Sequence, residues 1–171
     1  TETFAPETDP ELIYCGNWRL NDPLPEDPRF TIGTALSSPT RTYLPLIKRI
    51  VKEIGKDHIQ AFIHCSGGGQ TKIGKFGPPG IKYVKDSLMP PQALFKFLQS
   101  ARGLSVREML ESYNCGHRLE MVTDDKKVAD DCVALSMEEG IPAQPIGETL
   151  LQNPGDKRIA IRTEGGWEYF D

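Results

Sequence analysis

The residues best suited to chemistry fall in three short segments, each joining glycine or a small polar residue to a base. The first is CSGGGQTK, residues 65–72. Three glycines after an apolar run permit positive φ and close backbone approach, so successive N–H groups can turn toward an anion. Ser66, Gly67, Gly68 and Gly69 would form such a cradle, with Lys72 and Lys75 adding charge. The same glycines would serve a plain tight bend equally well. Neither the Walker spacing of glycine, four residues and Gly-Lys-Ser/Thr nor a dinucleotide GxGxxG fingerprint is present. The second segment is YNCGHRLE, residues 113–120, where Asn114 and Gly116 both suit left-handed backbone and His117 and Arg118 place donors beside them. A glycine-containing helix end with solvent-facing His117 and Arg118 is the plainer alternative. The third is SPTR, residues 38–41, which puts Thr40 and Arg41 in the first turn of a helix. A helix N-terminus with an arginine is a natural phosphate seat, although a simple cap-and-proline start would look the same.

Charge gives these segments a common direction. Residues 41–107 hold twelve Lys/Arg against three Asp/Glu, while residues 1–28 hold seven acids and one base, in a chain of net charge −4. A basic island concentrates phosphates or carboxylates by its field alone. Nucleic acid is not expected, because the chain is acidic overall and its bases are not interleaved with stacking aromatics. Three junctions on one island point to an anionic ligand more strongly than any does alone. A metal is not expected: Cys115 with His117, and His64 with Cys65, match no recognised ligand spacing. The four cysteines, Cys15, Cys65, Cys115 and Cys132, form no CxxC pair and read as reduced thiols, as easily small buried hydrophobes as nucleophiles.

The elements that must position these segments follow from periodicity. A length of 171 residues with 38% hydrophobic content supports one domain with an arm, and no apolar run approaches a membrane span. Residues 1–30 read as an extended N-terminal arm or linker rich in proline, with short strands at LIYCG and, running into the domain, FTIGTAL. Residues 31–171 read as the folded domain. In SSPTRTYLPLIKRIVKEIGKD the apolar residues Tyr43, Leu46, Ile47, Ile50, Val51 and Ile54 mark one helix face. Ser38 and Pro39 suit its start, Pro45 would kink or delay it, and Gly55 suits its exit. HIQAFIHC and IKYVKD read as strands, followed by a helix from Pro90 or Pro91 and another opening at Ser105, where Glu108 completes a capping box. RLEMVT is a strand, DDKKVADDCVALSMEEG a helix stopped by Gly140, and AQPIGETLL and KRIAIRT strands joined by the turn NPGD. The expected class is α+β, a mixed or antiparallel sheet covered by helices.

The order of motifs resembles the C-terminal domain of the phosphoribosylformylglycinamidine cyclo-ligase (AIR synthase) family. LSSPTRTY before a helix, HIQAFIHCSGGG, YNCGHRLEMV, and a strand with Ile146-Gly147 are similar to that family's SPTR-Y helix, H-x-T/S-GGG loop and F/Y-N-x-G segment, over roughly residues 31–162. GGGQTKIGKFGPPG stands where the family usually continues to ENIPR, and NCGHRLE where N-x-G-x-GM is common; a subgroup of the family has this Q-T-K and G-H-R style. The resemblance implies an ATP-dependent ring closure that turns formylglycinamidine ribonucleotide into aminoimidazole ribonucleotide in cytoplasmic purine biosynthesis. It implies His64 and His117 as catalytic candidates, and Thr40, Arg41, Ser66, Gly67, Gly68, Gly69, Lys72, Asn114 and Arg118 as substrate or phosphate contacts. Glu120 could fix Arg118, and Lys72 or Lys75 could replace the ENIPR arginine. ATP and Mg2+ are expected mainly through an N-terminal domain that this stretch does not include, as is the homodimer of the full-length family. Alone, the chain is expected to bind substrate phosphate weakly, to turn nothing over and to be a monomer. Competing readings are another member of the same ATP-binding superfamily (the amidotransferase synthase one step earlier, selenophosphate synthetase or thiamine-monophosphate kinase) and a non-catalytic interaction module.

Overall fold

The computed structural model describes residues 7–9 and 16–171. The strand expected at LIYCG, and Cys15 with it, lies outside these residues except for Gly16. FTIGTAL is not a strand: Ile32–Leu36 form a short helix, α1. Its cause is local, because the Thr34 N–H donates to Thr31 Oγ1 at 3.1 Å and the Thr31 N–H donates to Thr34 Oγ1 at 2.9 Å. That reciprocal cap outweighs the β preference of the apolar residues around it.

Helix α2 spans Leu44–Glu53 and ends before Gly55, which takes φ 104°. Its start is later than the Ser38-Pro39 signal suggests. Pro45 falls in the first turn, where a missing N–H is harmless, so the helix begins there and Ser38–Thr42 precede it without regular structure. Thr40 and Arg41 therefore stand ahead of the helix rather than in its first turn. Strand β1 is Ile59–His64 and β2 is Ile81–Lys85. Helix α3 covers Ala93–Arg102, starting after the Pro90-Pro91 pair, and α4 covers Val106–Ser112 with both bonds of the Ser105/Glu108 capping box formed. Strand β3 is Leu119–Thr123, helix α5 is Lys126–Glu138 capped by the Asp125 side chain, and strands β4 (Gly147–Leu151), β5 (Ile159–Thr163) and β6 (Gly166–Phe170) complete the fold.

The architecture is α+β with two sheets. β1 and β3 form an antiparallel pair, with Ile63 opposite Glu120 and His64 opposite Leu119. The other sheet has the order β4-β2-β5-β6, with β2 antiparallel to β4 and parallel to β5. The NPGD turn does link β4 to β5, yet they are not neighbours, because β2 lies between them. β6, not foreseen, closes a hairpin on β5.

Strand parity divides the core. One face of the β1–β3 pair carries Phe62, Leu119 and Met121 against Leu46 and Ile50 of α2 and Val128, Cys132 and Leu135 of α5. The other face carries Ile63 and Val122 toward Tyr83, Ile159 and Ile161 of the larger sheet, with Leu110 of α4. A third cluster joins Leu24 and Ile32 to Phe97 of α3, and Trp18 meets the Phe97 ring edge-on at 5.3 Å. Among the described residues no helix is long and apolar enough to cross a membrane.

Candidate functional site

The fold brings the three segments together. Beyond the ends of β1 and β3 the pairing continues, as the Cys65 N–H donates to the Arg118 carbonyl at 2.8 Å. The glycine loop thus leaves β1 beside the segment entering β3. Asn114 ties them, its Nδ2 donating to the Cys65 carbonyl at 2.9 Å and its Oδ1 accepting the Gly116 N–H at 2.9 Å. Gln70 Nε2 adds a bond to the Asn114 carbonyl at 2.6 Å. The third segment joins through Arg118, whose guanidinium donates to Thr40 Oγ1. The Tyr43 ring lies edge-on to His64 at 6.4 Å. Burial pushes the Tyr43 phenol pKa up, while the nearby Arg118 and Arg41 guanidiniums pull it down. Arg41 itself donates to the Gly140 carbonyl at 3.3 Å, and His64 is exposed.

The glycine loop has the backbone of an anion cradle in part. Gly68 takes φ 97° and Gly69 φ 50°. The Gly69 N–H is not available, since it donates to the Ser66 carbonyl at 3.1 Å. The N–H groups of Gly67 and Gly68 have no hydrogen-bond partner among the described residues. Lys72 Nζ donates to Ser66 Oγ at 2.5 Å, and Lys75 Nζ lies 3.8 Å from where a Cβ on Gly68 would stand. Two free donors between two ammonium groups suit a phosphate or carboxylate oxygen.

Part of the basic island is neutralised, mostly by acids from the C-terminal half. Arg49 pairs with Glu53, Glu138 and Glu139, Lys82 with Asp156, and Arg107 with Glu111 and Glu168. Arg41, Lys72, Lys75 and Arg118, in or beside the three segments, carry no ion pair among the described residues, and neither do Lys48, Lys52 and Arg102 elsewhere on the island.

Several expectations need correction. His117 does not face solvent: it is 5% exposed, with Nε2 3.1 Å from the Met89 carbonyl. Left-handed backbone falls on Cys115 (φ 53°) and Gly116 rather than on Asn114, because the Asn114 side chain closes the turn onto the Gly116 N–H. Glu120 does not hold Arg118. Its carboxylate points inward and pairs with Lys85 at 2.5 Å, both side chains 3% exposed. Lys85 also donates to Gln70, at its carbonyl (2.7 Å) and Oε1 (3.3 Å), so one buried ammonium anchors the loop that carries the glycines. Cys65 and Cys115 are poor nucleophiles, since burial pushes their thiols up to about 12 and about 11.

Sequence reading missed Lys85 and Gln70. Parity held the signal for the lysine: in IKYVK, Lys85 shares a face with Tyr83, and in LEMVT, Glu120 shares one with Val122. Opposite charges on two inward faces imply a buried pair.

Two histidines should titrate in opposite directions. Its hydrogen bond to Asp124 at 2.8 Å raises the His58 pKa, so that pair's stabilisation is complete below the unfolded value of about 6.5 and lost as pH rises through the folded one. Burial lowers the His117 pKa. The unfolded chain then takes up its proton first, and stability falls as pH drops below about 6.5. An NMR titration should place His58 above the ordinary range and His117 below it, with Asp124→Asn returning His58 to the ordinary range. The reverse order would contradict these contacts.

Among the described residues no group of three or more His, Cys, Asp or Glu is placed to hold a metal ion. No family model matches the chain. It is 29% identical over 155 residues, 90% of its length, to a phosphoribosylformylglycinamidine cyclo-ligase of Nitrosococcus oceani. It is 26% identical over 136 residues, 78% of its length, to a protein of the same name from Desulfatibacillum aliphaticivorans. The chain spans 41% and 38% of those two relatives. What the sequence is similar to is therefore a stretch of about two fifths of a cyclo-ligase.

Proposed function

We propose that this chain is the C-terminal, phosphate-binding half of a cytoplasmic ATP-dependent cyclo-ligase that closes formylglycinamidine ribonucleotide to aminoimidazole ribonucleotide. The observation that carries the reading is the similarity to two cyclo-ligases along most of the chain, including all three segments that the fold joins. ATP, when bound, would supply the phosphoryl group that makes the formyl oxygen a leaving group, so that the amidine nitrogen closes on the formyl carbon and the oxygen departs as phosphate.

This chain's own part is binding and orientation. Gly67 and Gly68 offer their N–H groups and Lys72 and Lys75 their charge to a phosphate oxygen. Arg118, steadied by Thr40, and Arg41 supply further positive charge near Tyr43. Asn114 fixes the distance between the two loops, so the cradle is formed before ligand arrives. Such preorganised charge stabilises a phosphate without reorganisation on binding. The residues fit a phosphate, and no carboxylate cluster among the described residues is placed to hold Mg2+. The remainder of a full-length protein would supply the metal site, the catalytic completion and the dimer contacts.

Isothermal titration with formylglycinamidine ribonucleotide, ATP and inorganic phosphate tests the reading. Binding in the millimolar range or tighter is expected, weakened about tenfold or more by Arg118→Ala and by Arg41→Ala, in line with loss of a charge-assisted bond. If none of the three ligands binds, alone or with an N-terminal half added, the reading fails. ATP-dependent ring closure by this chain alone would overturn its assignment as a half-site.

A further inference from the structure

The two outer strands of the larger sheet are protected unequally. β6 is one edge, and α4 blunts it: Arg107 donates to the Tyr169 carbonyl at 3.2 Å, pairs with Glu168 and lies over the Phe170 ring at 4.3 Å. β4 is the other edge, and all five of its residues are exposed. Hydrogen bonds show which of its backbone groups are unused. The Asp86 N–H donates to the Ile146 carbonyl and the Gln152 N–H to the Gly80 carbonyl, with Val84 opposite Glu148 and Lys82 opposite Leu150. Ile146, Glu148, Leu150 and Gln152 therefore turn their backbone groups to β2. The alternation of an antiparallel ladder turns those of Gly147, Thr149 and Leu151 outward. Among the described residues none of these three N–H groups has a hydrogen-bond partner.

The usual defences of such an edge are missing. GETLL holds no proline and no lysine, and its register against β2 runs unbroken from Leu151 to Gly147, without a bulge. The strand ends instead on Leu150 and Leu151, 42% and 83% exposed.

We infer that β4 is an interaction edge for a second copy of this chain, which pairs antiparallel through its own β4 about a two-fold axis at Leu150. The residue pattern decides for this partner and this register. Leu150 then lies opposite the second copy's Leu150, in a pair without mutual hydrogen bonds, where side chains come closest. Thr149 exchanges backbone bonds with the second copy's Leu151, and Glu148 meets the neutral amide of its Gln152. Leu151 lies beside Ile81, which packs against the core between the sheets, so the apolar inner layer continues across the axis. Lys82, next to Leu150, is already neutralised by Asp156. An axis at Glu148 would set two carboxylates face to face, and one at Thr149 would set Glu148 against leucine.

Five residues a side are far fewer than the roughly 20–30 of a standard interface, so the dimer is weak and concentration-dependent. It departs from the monomer that the sequence suggests, and it is separate from the dimer contacts assigned to the remainder of a full-length protein. No residue of the glycine loop takes part, so the inference is independent of the cyclo-ligase reading.

Sedimentation velocity of the full chain should show the weight-average mass rising toward that of a dimer between about 10 µM and 1 mM. Over the same range, hydrogen exchange of the Thr149 and Leu151 amides should slow far more than that of Glu148 and Leu150, which β2 already bonds. Leu151→Lys puts a charge on the edge, and Thr149→Pro removes an outward N–H without breaking a bond to β2. Each should weaken association about tenfold or more. Leu151 is too exposed for its replacement to threaten folding, so the test holds even if the proline variant does not fold. A chain monomeric at about 1 mM would overturn the inference. So would a dimer in which the Thr149 and Leu151 amides exchange as in the monomer, or one that Leu151→Lys leaves intact.

Discussion

Lys85→Met should destabilise the protein by about 3–5 kcal/mol, measured by urea denaturation, because it leaves the Glu120 carboxylate buried without its counter-charge. The change also frees the Gln70 carbonyl and side chain, so the glycine loop should lose order as the stability falls. The double variant Lys85→Met/Glu120→Leu separates the two effects. Removing both charges restores an apolar interior and should recover most of the loss. Phosphate affinity should stay weakened in the double variant, since the anchor on Gln70 is still missing. A single variant costing less than about 1 kcal/mol would mean that the pair is open to water.

Gly69→Ala should be nearly as damaging, at about 3 kcal/mol or more, a melting-temperature drop of roughly 6–12 °C for a chain of this size. A Cβ on Gly69 would stand 2.5 Å from the Leu110 carbonyl oxygen and 2.6 Å from that of Tyr113, and φ is +50°. Backbone on both sides leaves nothing flexible to move. Gly67→Ala is the control, because nothing lies within 4 Å of the added methyl and the position has no positive φ. It should leave stability within about 0.5 kcal/mol of wild type. Any loss of anion binding in Gly67→Ala then reports on the cradle itself. Equal melting temperatures for the two variants would contradict the packing of the loop against α4.

These residues also show what could be read before the fold was known. The Ser105/Glu108 box, the Gly55 and Gly140 exits and the amphipathic face of α2 were legible because each depends on neighbours within one or two turns. The glycine loop and Asn114 were legible as junctions for the same reason. The site's internal wiring was not, because Lys85, Gln70 and Glu120 meet only when strands distant in sequence pair. Local signals also misled where two were in competition. At residues 30–36 apolar alternation suggested a strand, and a threonine cap made a helix. At residues 38–45 the Ser38-Pro39 start signal competed with Pro45, and the helix was delayed to Leu44. The insertion of β2 between β4 and β5 had no local signature at all.

That insertion has a consequence for how the chain folds. β2 ends at Lys85, whereas β4 begins at Gly147 and β5 at Ile159, so the strand is made long before either partner. During synthesis β1 can find β3 once Thr123 has emerged, with α2 and α5 packing on them as a first unit. β2 must wait with Tyr83 and Lys85 unburied until the C-terminal hairpin arrives. Pairings this far apart close large loops, which slows the barrier-crossing step relative to a fold of local contacts. Lys85 and Glu120 have both emerged by then, but the late step is the one that fixes β2, and with it Lys85, in place, so the anion cradle should become competent last.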